Sequence, residues 1–304
     1  TPTPTPYWEL VGTCDTFEGS TDGWTFTGLS ANNPDASYTG ATSSYDNHKL
    51  GIATDDTTNK FGFWGGPADI PASTSKLYKF VWTLSTNQSD SLKVPTIRLR
   101  VSPSDFSYSM AMTMQSANAS SNPFMPTSTN KDYNMYVMPI STGALYPVFD
   151  VYDFETPGDS GTVWLDQLDV YALDVPSSGW TAESVPALIS WSALTHISPF
   201  HSVTSSISGG LSLASNVADA YNFGIWSSPA TITYTDNQLY RAQFTIVSSD
   251  SAPPNGMVRV SSEDNQVSYR LRYYPATAPD ADGEVYPVYF ETHDYESGKN
   301  HFGL

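Results

Sequence analysis

A single cysteine, Cys14, stands in 304 residues, so no disulfide can close within the chain and stability has to come from packed cores. Cys14 itself reads as a small buried apolar residue. Basic residues are scarce. Thirteen Lys and Arg stand against 31 Asp and Glu, and the net charge of −18 argues against a nucleic-acid or anionic-membrane partner. No apolar run reaches the roughly 18 residues a spanning helix needs, and no stretch shows a persuasive amphipathic helical period. Hydrolytic signatures are missing as well: there is no G-x-S-x-G, no H-E-x-x-H and no Cys/His metal spacing. His196 and His201 form an i, i+5 pair in a loop-like stretch. One catalytic arrangement is kept open, the convergence of Arg270, Arg272, Tyr274 and His293 on a sheet as a polysaccharide lyase requires, but Arg on an exposed sheet explains it more simply. The chain is read as a non-enzyme.

What the chain has in abundance is Thr, Ser, Asn and aromatics, with eight Trp and nineteen Tyr and only 14 % charged residues. That balance fits β-strands with hydroxylated outer faces, as in secreted proteins, and the expected location is extracellular or cell-surface. Residues 1–6, T-P-T-P-T-P, read as a stiff extended leader of the kind found in extracellular linkers.

An internal duplication organises the rest. Phe61, Gly62, Trp64 and Pro67 in N-K-F-G-F-W-G-G-P recur at one constant offset as Phe223, Gly224, Trp226 and Pro229. Leu77 and Tyr78 recur at that offset as Leu239 and Tyr240; R-V-S at Arg100 recurs at Arg259, and Y-P-V-F at Tyr146 as Y-P-V-Y at Tyr286. The reading is two homologous domains, 7–174 and 175–304, joined through V-P-S-S-G, a link too short to leave their orientation free.

Alternation makes the repeated segments strands. Tyr78, Phe80, Trp82 and Leu84 share one side against Lys79, Val81 and Thr83, and Tyr240, Ala242, Phe244 and Ile246 repeat this against Arg241, Gln243 and Thr245. Ile97, Leu99 and Val101 oppose Arg98 and Arg100; Tyr269, Leu271 and Tyr273 oppose Arg270, Arg272 and Tyr274. With Gly/Pro/Asn/Asp/Ser clusters between them, these strands predict an all-β chain of two tandem antiparallel β-sandwiches of jelly-roll type.

F-E-G-S-T-D-G-W at Phe17, the F-G-F-W turn, and V-W-L-D-Q-L-D-V-Y at Val163 resemble the calcium-associated jelly-roll carbohydrate-binding modules. The resemblance spans most of the first domain and, more weakly, the second. It implies that Glu18 and Asp166 share a structural calcium, held through hard carboxylate oxygens. The alternative is that both are solvated acids at a loop and a strand end.

The last residues, N-H-F-G-L, align near Leu165 of the first domain, so the second domain is expected to lack its last strand. An open edge invites a strand from another chain. Three classes of function compete, enzyme, glycan binder and structural subunit, and a self-assembling fibre or sheath subunit ranks first. In that reading Tyr7, Trp8, Glu9, Leu10 and Val11 of one copy add as a strand beside His301, Phe302, Gly303 and Leu304 of the next. The conservative reading makes the same N-terminal segment the first strand of its own domain. Matched basic positions, Lys79 with Arg241 and Arg100 with Arg259, suit contacts between copies of an acidic protein. The alternative function is carbohydrate binding, with Tyr38, Tyr45 and Tyr133 as ligand aromatics; Trp64, Trp82 and Trp226 read as core. Asn87 and Asn118 fit N-x-S/T glycosylation, and Thr1, Thr3 and Thr5 suit O-linked sugars.

Overall fold

Period-two alternation is realised as strand. The computed structural model describes residues 7–14, 17, 20–28, 39–46, 48–55, 60–104, 106–115, 124–153, 160–175, 180, 187–194, 203–215, 225–229, 232–233, 238–248, 255–262, 266–274, 278–291 and 299–303. In chain order the strands are β1 Glu9–Cys14, β2 Thr25–Gly28, β3 Thr39–Gly40, β4 Thr42–Asp46, β5 Lys49–Thr54, β6 Lys60–Gly65, β7 Ile70–Ala72, β8 Lys76–Thr86, β9 Thr96–Pro103, β10 Tyr108–Met114, β11 Lys131–Val137, β12 Gly143–Asp153 and β13 Gly161–Asp174. A 3-10 turn, Leu188–Ser190, precedes β14 Ser192–Leu194, β15 Val203–Ile207, β16 Leu211–Ser215, β17 Ile225–Ser227, β18 Ile232–Thr233, β19 Leu239–Ile246, β20 Gly256–Ser262, β21 Val267–Tyr273, β22 Glu284–Glu291 and β23 Lys299–Gly303. Among the described residues there is no α-helix, and so none long and apolar enough to cross a membrane.

The fold is all-β, two tandem antiparallel sandwiches of jelly-roll type. In the first, a six-stranded sheet runs β11-β8-β13-β5-β4 with β1 on β13, and the second layer runs β10-β9-β12-β6-β2. Phe80, Trp82 and Leu84 from one layer meet Ile97, Leu99, Phe149 and Val151 from the other, all fully buried, at about 1.5–3 kcal/mol per side chain. These are the faces that alternation selects. Trp64 and Trp226 are buried, and their indole N–H groups donate to the carbonyls of Gly51 at 2.9 Å and Ser212 at 3.0 Å. Their duplicated role is packing.

The second sandwich repeats the order β21-β20-β23-β17, and β10 pairs with β21 to fuse the two layers into one 13-stranded sheet. Core residues of both halves, from Ile97 to Val260 and Phe290, belong to one continuous cluster. A second junction closes the other layer: Tyr136 Oη and Asn134 Nδ2 of β11 donate to Glu291 Oε2 of β22 at 2.8 and 2.9 Å.

Two expectations about pairing change. The Y-P-V similarity places Tyr286 to Tyr289 opposite Tyr146 to Phe149, yet β22 pairs with β19 as β11 pairs with β8, whereas β12 pairs with β9 and β6. The counterpart of β12 is β23, which runs beside β20, β17 and β18. A four-residue alternating motif specifies a side, and any core strand can satisfy it. His301, Phe302 and Gly303 therefore form a strand within the sheet rather than the approach to a final one; Leu304 lies outside the described residues. Beside β19, among the described residues, nothing occupies the place that β13 holds beside β8.

The N-terminal segment is likewise engaged at home. β1 pairs with β13 from Glu9 to Cys14, with an irregularity at Leu10/Gly12, and the Trp8 ring lies 5.9 Å from that of Tyr136. Glu9 and Leu10 already hold ladder partners in β13, so donating this segment to a neighbour would take β1 from its own sheet. Tyr7, Leu10 and Val11 keep exposed side chains. The basic pair offered as an intersubunit contact is also accounted for internally. Lys79 Nζ stands 5.4 Å from the Trp8 ring and 5.0 Å from that of Tyr171, and Arg241 stands 4.5 Å over Trp180.

Candidate functional site

The face of the long sheet turned away from the core is set by parity. Since Ile97, Leu99 and Val101 point inward, Arg98 and Arg100 point out; the same holds for Arg259 on β20 and for Arg270 and Arg272 on β21. Strand pairing then lines them up. One cross-strand row reads Val148, Arg100, Ala111, Arg270, Arg259, and the adjacent row reads Asp150, Arg98, Thr113, Ser268, Ser261. Five of the chain's six arginines share this face, which spans the junction of the two sandwiches.

Short side chains form its floor. Thr113, Ser109, Ala111, Ser268 and Ser261 are buried beneath the longer arginines, and Asp150 is 0 % exposed. Arg98 and Arg100 keep 24 % and 23 % of their side-chain surface, and Arg272 is exposed. Aromatic rings flank the row. On β6 and β12, Phe61 stands 6.2 Å from both Phe63 and Tyr152. At the hairpin end, Phe106 holds a left-handed backbone, φ 54°, and keeps 51 % of its surface while its ring packs edge-on to Tyr146 at 5.7 Å. Tyr146 lies over Gly65, where a Cβ would come within 2.1 Å of its hydroxyl.

The electrostatics are unbalanced. Asp150 accepts from Arg98 Nε and from Arg100 Nη2, the latter at 3.4 Å. Burial works against the Arg98 charge, but the Asp150 carboxylate outweighs it and the guanidinium is held above its ordinary value. Arg98 also stacks 5.4 Å over the Tyr152 ring. Arg270 donates to Thr113 Oγ1 and bonds Tyr152; burial pushes it down to about 10, opposed by Tyr152 and reinforced by Arg98 and Arg272. Burial also lowers Arg259. Buried polar atoms remain unpaired at equivalent places in the two repeats: Arg100 Nε with Arg259 Nε, and Ser102 Oγ with Ser261 Oγ. One carboxylate among the described residues of the face, already shared by two arginines, is not placed for proton transfer. The arrangement suits binding: guanidinium forks for oxygen acceptors, and rings for flat apolar faces.

Of the residues singled out in the sequence, Arg100, Arg259, Arg270 and Arg272 lie on this face and His293 lies outside the described residues, while the expected ligand aromatics and Asp166 that are described lie elsewhere. Tyr133 is 0 % exposed and its hydroxyl donates to the Phe124 carbonyl at 2.7 Å, so it is a core residue and not a ligand platform. Alternation with Met135 and Val137 already signals this. Tyr45, on β4 at the edge of the other sheet, is exposed, and its hydroxyl donates to the Phe17 carbonyl at 2.6 Å. Tyr38, Glu18, Asn118, Thr1, Thr3 and Thr5 lie outside the described residues. Asn87 is exposed, and its Oδ1 accepts from the Thr162 amide at 2.8 Å. Asp166 sits at the irregularity in β13 with Lys49 Nζ 2.9 Å from Oδ1 and Asn130 Nδ2 on Oδ2. No group of three or more metal-ligating side chains occurs among the described residues, and Glu18, the other half of the expected calcium pair, lies outside them. Asp150 and Tyr152 fall in no motif, and Phe63 and Tyr146 fall in repeated motifs that mark strands rather than a site; their common parity in Y-P-V-F-D-V-Y and F-G-F-W is the signal the sequence carries.

No protein-family model matches the chain, and no curated protein does. Solved structures with a similar shape are mostly carbohydrate-binding modules and jelly-roll domains. The N-terminal CBM22-1-CBM22-2 tandem domain from Paenibacillus barcinonensis Xyn10C is 11 % identical over 99 % of this chain and 97 % of that one, with a TM-score of 0.35. The xylan-binding module CBM15 is 12 % identical over 56 % of this chain and 99 % of its own, at a TM-score of 0.34. An endo-1,3-β-glucanase structure from Streptomyces sioyaensis is 12 % identical over 57 % and 99 %, at 0.39. At such identities and scores these are resemblances of shape only.

Proposed function

We propose that this protein is a non-catalytic carbohydrate-binding protein acting outside the cell, and that it binds glycan on the arginine-lined face of its long sheet. The observation that carries this reading is the combination, on one open sheet face, of ringed flanks at Phe61, Phe63 and Phe106 with a row of hydrogen-bond donors between them. Sugar rings present apolar C–H faces for stacking and a periphery of acceptors for guanidinium donors. The hydroxyl-rich, weakly charged composition supports an extracellular setting. Fibre assembly by strand addition is set aside, since β1 already completes its own sandwich.

The test is native affinity electrophoresis of the whole chain in gels carrying soluble polysaccharides, neutral and acidic. Retardation that is reduced in Phe63→Ala and Phe106→Ala, with no release of reducing ends or unsaturated sugars, is the expected result. A chain that migrates identically in every gel would remove the proposal.

A further inference from the structure

Resting on that reading, we infer that the ligand is an acidic polysaccharide, one whose carboxylate or sulfate groups seat on the guanidinium row Arg100, Arg270, Arg259 with Arg98 and Arg272 beside it, across the junction of the two sandwiches. Four observations carry it.

The first is local charge. Against a net charge of −18 for the chain, this face gathers five guanidiniums and, among its described residues, one carboxylate. Exposed acids elsewhere are screened beyond about 8–10 Å, so a ligand at the row senses the arginines first. The second is crowded positive charge. Arg270 is lowered first by burial and then by the like charges of Arg98 and Arg272, which stand on the neighbouring rungs, and an anion delivered to the face offsets that repulsion.

The third is the orphaned donor set. Arg100 Nε, Arg259 Nε, Ser102 Oγ and Ser261 Oγ are inaccessible polar atoms with no partner, and they fall at equivalent positions of the two repeats. Buried polar atoms without partners are rare in a folded chain, so their recurrence at the same place in both repeats marks a face whose polar groups the protein does not satisfy by itself. The fourth is repetition. Strand spacing of ~4.8 Å sets Arg270 and Arg259 about 5 Å apart at the backbone and Arg100 about 10 Å beyond Arg270, a ladder that matches regularly repeated charges along a chain crossing the strands. A neutral glycan leaves these forks without their bidentate partner.

Titration calorimetry on the whole chain separates the possibilities, with polygalacturonate and alginate as carboxylated probes, chondroitin sulfate and dextran sulfate as sulfated ones, xylan and a soluble β-1,3-glucan as neutral ones, and single-stranded DNA as a non-glycan polyanion. Binding to a carboxylated or sulfated glycan at least about tenfold tighter than to the neutral probes is expected, weakening as salt rises from about 0.05 to about 0.5 M. Arg272→Ala and Arg259→Lys should each weaken it severalfold without changing the melting temperature; Arg272 is exposed, so its truncation leaves the fold intact. Loss of binding on acidification below a uronate pKa of about 3.5 identifies carboxylate as the recognised group, and its persistence there identifies sulfate. Equal or tighter binding to xylan or the β-glucan overturns the inference while leaving carbohydrate binding standing. Preference for DNA overturns it too, and no binding to any glycan removes both.

Discussion

Ala111 lies directly opposite Arg270 across the β10–β21 ladder, and each holds in its own repeat the position the other holds in the next. Ala111 faces Arg100 on β9 and Arg270 faces Arg259 on β20, in the same register. Two copies of one edge strand have paired antiparallel about a local two-fold axis, as equivalent surfaces do in a symmetric dimer. Sheet edges are thereby consumed within the chain, and the outward arginines of both repeats are brought side by side.

Fusion through β10–β21 and a shared core predicts cooperative unfolding. Calorimetry should show one transition with calorimetric and van't Hoff enthalpies in agreement. Glu291→Gln, which weakens the bonds from Tyr136 and Asn134, should lower stability in that single transition by about 1–3 kcal/mol. Two separable transitions in the unaltered chain would show that the junction is not an integral interface.

Asp150 is wholly buried between Arg98 and Arg100, so neutralising it strands two guanidiniums. Asp150→Asn should cost about 3–5 kcal/mol in urea unfolding, and Arg100→Met less, because Arg98 still pairs the carboxylate. A loss below about 1 kcal/mol for Asp150→Asn would mean that the pair is solvated.

Alkali should unfold the protein early. Burial raises Tyr133 well above its ordinary value; burial, then the charge and hydrogen bond of Glu291, raise Tyr136. Both stay protonated in the folded state while the unfolded chain ionises near pH 10. Their contribution is therefore complete below about pH 10 and is lost as pH climbs above it, at about 1.4 kcal/mol per pH unit for each group. Tyr133→Phe should flatten that slope by one group, at a neutral-pH cost of about 1 kcal/mol for its bond to Phe124. An unchanged slope in the variant refutes the assignment.

At Asp166 the positive partner is Lys49. A chelator should leave the melting temperature where it was, while Lys49→Met should lower stability by up to about 1 kcal/mol, as for a partly exposed pair. A drop on chelation, absent in Asp166→Ala, would restore calcium to this site.

Which side of a strand each residue takes is legible in the sequence by itself. Ile97, Leu99 and Val101 inside with Arg98 and Arg100 outside follows from the pleat alone, and the R-V-S repeat marks Arg100 and Arg259 as equivalent. The same rule, applied to Tyr133 with Met135 and Val137, puts that ring in the core, where it is found. Neighbourhood is a different matter. Y-P-V at Tyr146 and at Tyr286 look alike and sit in different layers, β12 against β9 and β6 but β22 against β19. Nothing local in S-Y-S-M-A-M-T announces that β10 will pair with β21, more than 150 residues away. Side-chain alternation is a property of consecutive residues, carried by the period of the backbone. Strand adjacency is chosen by backbone hydrogen bonds that are chemically the same for every strand and by which packed faces they bring together. The arginines are therefore visible in the sequence one repeat at a time, and only the folded chain makes them a row.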